Sequence, residues 1–477
     1  MNIAGQVRLL TDEHMDTIHE KACELLSKKG IVFESEASLE VFKQHGMKVE
    51  GSTVFLDKQT VEKCVEQTPS SFVLEAMDAD RSVVVGEGLL IHPAGGEVAI
   101  ADYKGPRRAP LMKDFANLQK LYQACDSIHI AGFQPLSPTD VPDRLKGLYC
   151  TFESMKHSSK PILSPMELET IQKKEEVLKL FDVAYGTEGY LKDHYLTWHA
   201  VCPNSPYIYS DFACEGIHVY AEQNQPVIIV SAPMSGITSP VYLLSTVILS
   251  IAEELAGLVL AQLIQPGVPV VLSASQTYGY LKYATWECAS PDSSLMLAAV
   301  IQMCREYYKL PARAQTGVTS SKTVDYQAGM ETMQSLLYTA LAGVNLTSQS
   351  VGTLGNLLTS SLEKTVLDDE LVSRVQHLLT GWVFNEEQMG IEELLEASPG
   401  EDFLMSDATI MRMRDYWTPT VSDWNNTDDW TKLGEKDVVE HAHVRVEQIL
   451  GEAPESLLES EQEKAMLDYI KSVETSA

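Results

Sequence analysis

Residues 226–273 read PVIIVSAPMSGITSPVYLLSTVILSIAEELAGLVLAQLIQPGVPVVLS, and their pattern decides the fold. Two compact apolar runs, Pro226–Ser231 and Val268–Ser273, enclose a helix-length stretch, Ser239–Gly267. Ser239 suits a helix N-cap, Pro240 fits the first helical position, and Gly267 can end the helix. The stretch is long and apolar enough to invite comparison with a membrane span. Glu253 and Glu254 at its middle are expensive in lipid, so it reads instead as the buried helix of a strand–helix–strand unit.

The same rhythm recurs in both directions. Further strand-like runs are Ser127–Phe133, Pro161–Ser164, His194–Ala200, Ala312–Val318, Gly343–Ser348 and Asp402–Ser406, each beside a helix-length segment. With the first two they make eight. Alternating strands and helices argue for parallel strands with crossover helices. Eight units over roughly 300 residues fit a (β/α)8 barrel better than an open sheet, although periodicity alone leaves a doubly wound sheet open.

Ahead of this region, Thr11–Lys29 and Ser35–His45 read as helices, with Thr11 a plausible N-cap. From Val54 to Tyr103, short alternations broken by Gly and Asp suggest β-hairpins. The expected organisation is an α/β chain: a helical and β-hairpin arm over 1–115, a catalytic barrel over 116–430 and a helical tail over 431–477. No internal repeat or low-complexity tract is visible.

The 67 acidic residues outnumber 36 basic ones, giving a formal charge of −31. Such a surface repels phosphate backbones and anionic headgroups, which disfavours nucleic acid and membranes as partners. Cys23, Cys64, Cys125, Cys150, Cys202, Cys214, Cys288 and Cys304 are scattered without a C-x-x-C pair. The first ten residues lack the pattern of a signal peptide. Both features point to free thiols in a reducing cytoplasm.

Barrel chemistry sits just past the strand ends. There the sequence offers Phe133-Gln134-Pro135, the loop 202–209, the loop 233–238, then Gln276 to Tyr280 with Tyr283 and Trp286, Gln349, and finally Tyr416 and Trp417. Aromatics recur, and no Lys or Arg joins these loops. A cation without N–H donors is held by aromatic faces, so a quaternary ammonium suits this mouth; packing of the loops on the rim is the plain alternative. His199, Cys202, Cys214 and Cys288 lack a tight ligand spacing for zinc. Gly317–Lys322 does not match the P-loop, and neither G-x-G-x-x-G nor G-x-S-x-G occurs.

The segments PVIIVSAPMSGITSPV, AEELAGLVLAQLIQPGVPVVLSAS, LPARAQTGVTSSKTVDYQAGMET and LLYTALAGVNL resemble the trimethylamine methyltransferase family. PAGGEVAIADYKGPRRAPLMKDF, the Asp126–Pro142 segment and FLMSDATIMRMRDYWTP are similar too, so the resemblance covers most of the chain. It implies a (β/α)8 barrel that demethylates an amine and methylates the Co(I) of a separate corrinoid protein, with no cofactor bound tightly by the chain itself. Members acting on trimethylamine carry pyrrolysine, whereas every position here is a standard residue. The resemblance then implies a quaternary amine such as glycine betaine, proline betaine, carnitine or γ-butyrobetaine, in anaerobic one-carbon metabolism. A homo-oligomer is compatible with it.

Such a substrate presents an ammonium head and a carboxylate. Phe133, Trp198, Tyr209, Tyr278 and Trp286 are the expected aromatic faces, and Gln349 the expected carboxylate donor; no catalytic residue or metal ligand is assigned. Two other readings remain: a zinc-dependent methyltransferase of methanol or a methylthiol, and a betaine-binding protein without turnover.

Overall fold

The computed structural model describes residues 3–166, 168–283 and 285–475. Eight short strands carry the core: β1 (Leu90–Ile91), β2 (Ala131–Gly132), β3 (Ile162–Leu163), β4 (His199–Val201), β5 (Val227–Ile229), β6 (Val270–Ala274), β7 (Ala312–Gln315) and β8 (Leu346–Ser348). In the order β4-β5-β6-β7-β8-β1, six of them form one parallel sheet, and β2 and β3 form a second. At one seam Ile91 O accepts N–H groups from His129 at 3.0 Å and Ile130 at 3.3 Å. At the other, Ser164 N donates to Thr197 Oγ1 at 2.7 Å. Among the described residues these isolated bonds, rather than a ladder, bridge the two sheets.

Each strand leads into a helix. In chain order these are α4 (Met112–Ala124), α5 (Lys146–His157), α6 (Ile171–Ala184), α7 (Asp211–Glu222), α8 (Leu243–Ile264), α9 (Pro291–Gln302), α10 (Tyr326–Leu341) and α11 (Leu362–Thr380). They are numbered after α1 (Asp12–Lys28), α2 (Glu36–Gln44) and α3 (Lys58–Gln67), which pack on α8. The helix α8 starts later than its sequence suggests. Tyr242 occupies its N-cap without a side-chain bond, because the Ser239 hydroxyl pairs with Thr246 Oγ1 at 2.6 Å instead. Its most apolar window is 83% buried within the protein, as a core helix should be.

Seven of the eight expected strand runs overlap a strand of the sheets. The eighth does not: residues 402–406 are an irregular turn in which Leu404 and Met405 are exposed. Its place is taken by Leu90–Ile91, which the sequence reading put among hairpins and which pairs in parallel with Leu346–Thr347. An exposed apolar run buries nothing, so apolarity alone does not make it a strand. Tyr416 and Trp417 consequently leave the mouth; Tyr416 is exposed, and Trp417 donates to Ser373 on α11 and lies under Arg374.

Alternation along the strands sorts two cores. Val227 and Ile229 of β5 and Val270 and Leu272 of β6 face the helices, within the large cluster that includes Leu255 and Val259 of α8. Ile228, Val230 and Val271 face the other way and meet Leu90, Ile130, Phe133, Leu163, Trp198 and Leu346. Such period-two sorting is what a sheet covered on both faces requires. Phe72, Leu74 and Val85 of an antiparallel hairpin join this inner cluster from the end where the strands begin, with Glu75 N bonded to Tyr195 O. In the tail, helices Val438–Glu452 and Ser460–Thr475 lie on the outside, against α11 and α4 and against α6 and α5 respectively.

Candidate functional site

Followed toward their C-terminal ends, the inner faces of the strands change character. Leu90 gives way to His92, Val271 to Ser273 and Ser275, and Leu346 to Ser348, while β7 contributes Arg313 and Gln315. The apolar floor therefore becomes a polar upper layer. Each mouth loop then offers a solvent-reachable group above fully buried neighbours: Met166, Cys202, Ala232, Tyr278, Gln315 and Gln349. Protein crowds the Cys202 thiol enough to raise its pKa by desolvation, yet the residue is open to solvent.

Arg313 lies at the centre of this layer and is only 4% exposed. One terminal nitrogen donates to Ser273 Oγ at 2.8 Å and Ser275 Oγ at 2.5 Å; the other reaches Gln349 Oε1 at 3.4 Å. No described carboxylate hydrogen-bonds the guanidinium. Burial lowers its pKa to about 10, with Cys202 and Glu254 acting in the opposite direction, so it stays charged at neutral pH. A buried cation held by neutral hydroxyls is stabilised by any anion that can reach it.

His92 faces the same layer. Its Nδ1 pairs with Ser348 Oγ at 3.0 Å, while Nε2 is buried without a partner among the described residues. Burial, and then the charge of Arg313, hold its pKa at about 3, so the ring is neutral. In the tautomer in which the Ser348 hydroxyl donates to Nδ1, Nε2 carries a hydrogen directed at no described protein group. The Phe133 ring packs edge-on to His92 with centroids 4.8 Å apart.

The loops at the mouth are held in strained backbone. Phe133, Gln134, Tyr207 and Gln349 all have positive φ, at 63°, 58°, 71° and 62°. For side-chain-bearing residues this is unfavourable and persists only where the surroundings impose it. Gln349 is fixed on both sides, its N–H to Pro93 O at 2.9 Å and its Nε2 to Gly95 O at 2.8 Å. Tyr207 is fixed by Glu253 of α8, which accepts its N–H at 2.9 Å and the hydroxyls of Ser205 and Ser231 at 2.7 and 2.6 Å.

The six expected binding residues are thus divided. Phe133 and Gln349 meet around Arg313 and His92. Tyr278 is partly exposed at the mouth, edge-on to Tyr280 with centroids 6.3 Å apart. Trp286 is half-buried on a separate small cluster with Cys288 and Val318. Trp198 is buried in the apolar floor, beneath the polar layer. Tyr209 faces outward: its ring stacks on Phe33 at 4.9 Å and its hydroxyl donates to Glu253 O, leaving no face for a ligand at the mouth. That placement follows from its short strand Ile208–Tyr209 pairing with Ile31–Phe33 of the N-terminal layer.

The groups considered for zinc are dispersed. His199 stacks on Tyr220 behind β4, Cys214 approaches Tyr209 O, and Cys288 approaches Asn356. Loop patterns past the strand ends do not reveal Arg313 and His92, because both project from or beside the strands. The available signal was the alternation ARAQ, which puts Ala312 and Ala314 on one face and Arg313 and Gln315 on the other.

A family model described as trimethylamine methyltransferase (MTTB) matches residues 1–476. A glycine betaine methyltransferase of Desulfitobacterium hafniense (strain Y51) is 33% identical over 93% of this chain and 92% of its own length. The trimethylamine methyltransferase MttB of Methanosarcina barkeri is 30% identical, over 93% and 91% of the two chains. Among solved structures, the monomethylamine methyltransferase MtmB of Methanosarcina barkeri superposes with a TM-score of 0.56 at 12% identity, covering 94% of this chain and 89% of that one, a likeness of fold alone.

Proposed function

We propose, for a chain that belongs to the trimethylamine methyltransferase family and is a methyltransferase, that the methyl donor is a small quaternary amine bearing a carboxylate and the acceptor is the Co(I) of a corrinoid protein. Glycine betaine, proline betaine, carnitine and γ-butyrobetaine are the members of this donor class. The observation that carries the reading is the buried guanidinium of Arg313, which no described carboxylate hydrogen-bonds, set beside a His92 Nε2 without a partner among the described residues.

In this reading the donor's carboxylate lies against Arg313 and the His92 Nε2–H, with Gln349 orienting the guanidinium. The ammonium head then points toward the mouth, where Phe133 and Tyr278 present aromatic groups to it. One N-methyl faces out toward the acceptor. A quaternary nitrogen leaves as a neutral amine, so no proton need be delivered, and a neutral His92 suits that chemistry. The protein's part is to fix the nitrogen–methyl axis and exclude water.

A closed (β/α)8 ring belongs to the same proposal, supported by the eight strand–helix units and the bonds across both seams. The corrinoid protein then docks over the strand C-termini, on the face where Cys202 reaches solvent. Eight cysteines without a disulfide among the described residues agree with a cytoplasmic location. The test is a panel of betaines and tetramethylammonium incubated with reduced corrinoid protein, followed by methyl-cobalt absorbance. A carboxylate-bearing donor should be strongly preferred; equal turnover of tetramethylammonium refutes the role given to Arg313.

A further inference from the structure

Behind the mouth, a second group of buried polar atoms has no part in the methyl transfer. Glu97 follows β1, is fully buried, and neither carboxylate oxygen has a hydrogen-bond partner among the described residues. Among the described residues the hydroxyls of Tyr122 and Ser360 are also buried and without partners, and that of Thr353 is buried with Glu97 as its nearest acceptor. These groups converge. Thr353 and Ser360 are directly paired across an antiparallel ladder, and Ser360 is paired on its other side with Ile100, three residues beyond Glu97. Burial pushes the Glu97 carboxyl up to about 8, against the opposing pull of the Glu97 and Gly95 backbone N–H groups and the Thr353 hydroxyl, and Glu97 acts in turn on Tyr122.

We propose that this chamber, walled by Glu97, Tyr122, Thr353 and Ser360, binds one monovalent alkali cation. The donor set is all oxygen, which suits hard cations. It holds a single carboxylate, whereas protein sites for divalent ions gather several charged oxygens. No described cationic side chain contributes to the balance at Glu97. Of the two arginines on the adjoining strand, Arg108, paired with Ile100, is bound to Asp102 and Asp114, and Arg107 is turned to Thr359 Oγ1 and Leu358 O. Gln119 Nε2, one turn before Tyr122, is also without a partner; as a donor it suits a carboxylate oxygen or a water and not the ion. Water beside a protonated Glu97 is the competing state; the cation takes that proton's place on the carboxylate, so its binding strengthens as pH rises through about 8.

The chamber adjoins the substrate site through one turn of chain. Glu97 O accepts from Ser137 N, Gly96 N donates to Gln134 O, and Gly95 O holds the side chain of Gln349. An ion on Glu97 therefore stiffens the turn that positions Gln349.

The test uses the full-length protein at constant ionic strength and chloride, with Tris exchanged for K⁺ or Na⁺. K⁺ or Na⁺ should raise the Tm by about 1–3 °C with saturation, the size expected for a large chain gaining a weak ligand. Glu97→Gln and, independently, Thr353→Val should each abolish that increment. Crystals grown with Rb⁺ should show anomalous density in the chamber. The same Tm in all three salts, an increment retained in both variants, or water alone in the chamber would overturn the proposal. None of these readouts depends on methyl transfer.

Discussion

Replacing Arg313 with Met tests the carboxylate site most directly. Methionine is unbranched and similar in length, so the inner layer keeps most of its volume. Ser273 and Ser275 lose a shared partner but lie 3.1 Å apart and can bond each other. Removing a buried charge that no described carboxylate pairs should leave the Tm close to its original value. Ligand binding should change sharply. Two guanidinium–carboxylate bonds at about 1.5–3 kcal/mol each, in a site where Arg313 is 4% exposed, amount to about 3–6 kcal/mol. At roughly 1.4 kcal/mol per decade, the dissociation constant for the preferred betaine rises by about two to four decades. Tetramethylammonium has no carboxylate, and its binding should change less than about threefold. Calorimetric titration of both ligands into both proteins measures this. A betaine affinity that falls less than about fivefold, or an equal fall for both ligands, refutes the assignment.

Other substitutions separate the remaining parts of the site. Gln349→Ala removes the side chain between Arg313 and Gly95 and should weaken betaine by about 1.5–3 kcal/mol, with tetramethylammonium much less affected, in the same titration. Tyr278→Leu should weaken both ligands by about 0.5–2 kcal/mol, since an aromatic face reads only the ammonium head; selective loss of betaine would show that Tyr278 reads something else. Stability should fall with acidification. Burial, reinforced by Arg313, Lys160 and Lys174 respectively, holds His92, His129 and His199 at about 3, 4 and 3. Each takes a proton near pH 6.5 when unfolded but not when folded, so each stabilises the fold fully above that pH and loses its contribution as pH falls toward its folded value. By pH 5 this is roughly 2 kcal/mol per histidine. Denaturant unfolding at pH 7 and 5 measures the loss, and His199→Phe, which keeps a ring against Tyr220, should reduce it by about that amount.

The limits of the sequence reading have physical causes. Runs such as VIIV and VVLSA announce themselves because both faces of those strands are buried. Leu90–Ile91 is only two residues long, set among glycines that favour turns, and its partner, Leu346–Thr347, lies about 255 residues away, so no local pattern marks it as a sheet strand. FLMS at 403–406 has strand-like composition, but nothing covers it. The aromatic residues were legible as residues but not as faces: Tyr209 and Phe133 both follow strand ends, yet one turns outward to Phe33 and the other inward to His92. Their direction depends on tertiary pairing that single-sequence patterns do not encode. Arg313 was hidden by the opposite effect, a charge within an apolar strand whose meaning emerges only when Ser273 and Ser275 are seen beside it.

The pairing of Val32 with Ile208 also has a consequence during synthesis. Phe33, Phe42 and the inner faces of α1 and α3 find their cover on α8 and Tyr209, which a ribosome supplies some 175 residues later. At about 5–20 residues per second, that apolar surface stays unmatched for roughly 10–35 s. The nascent N-terminal layer is therefore a natural client for holding chaperones, and silent codon changes that slow translation between residues 60 and 260 should lower soluble yield without altering the finished enzyme.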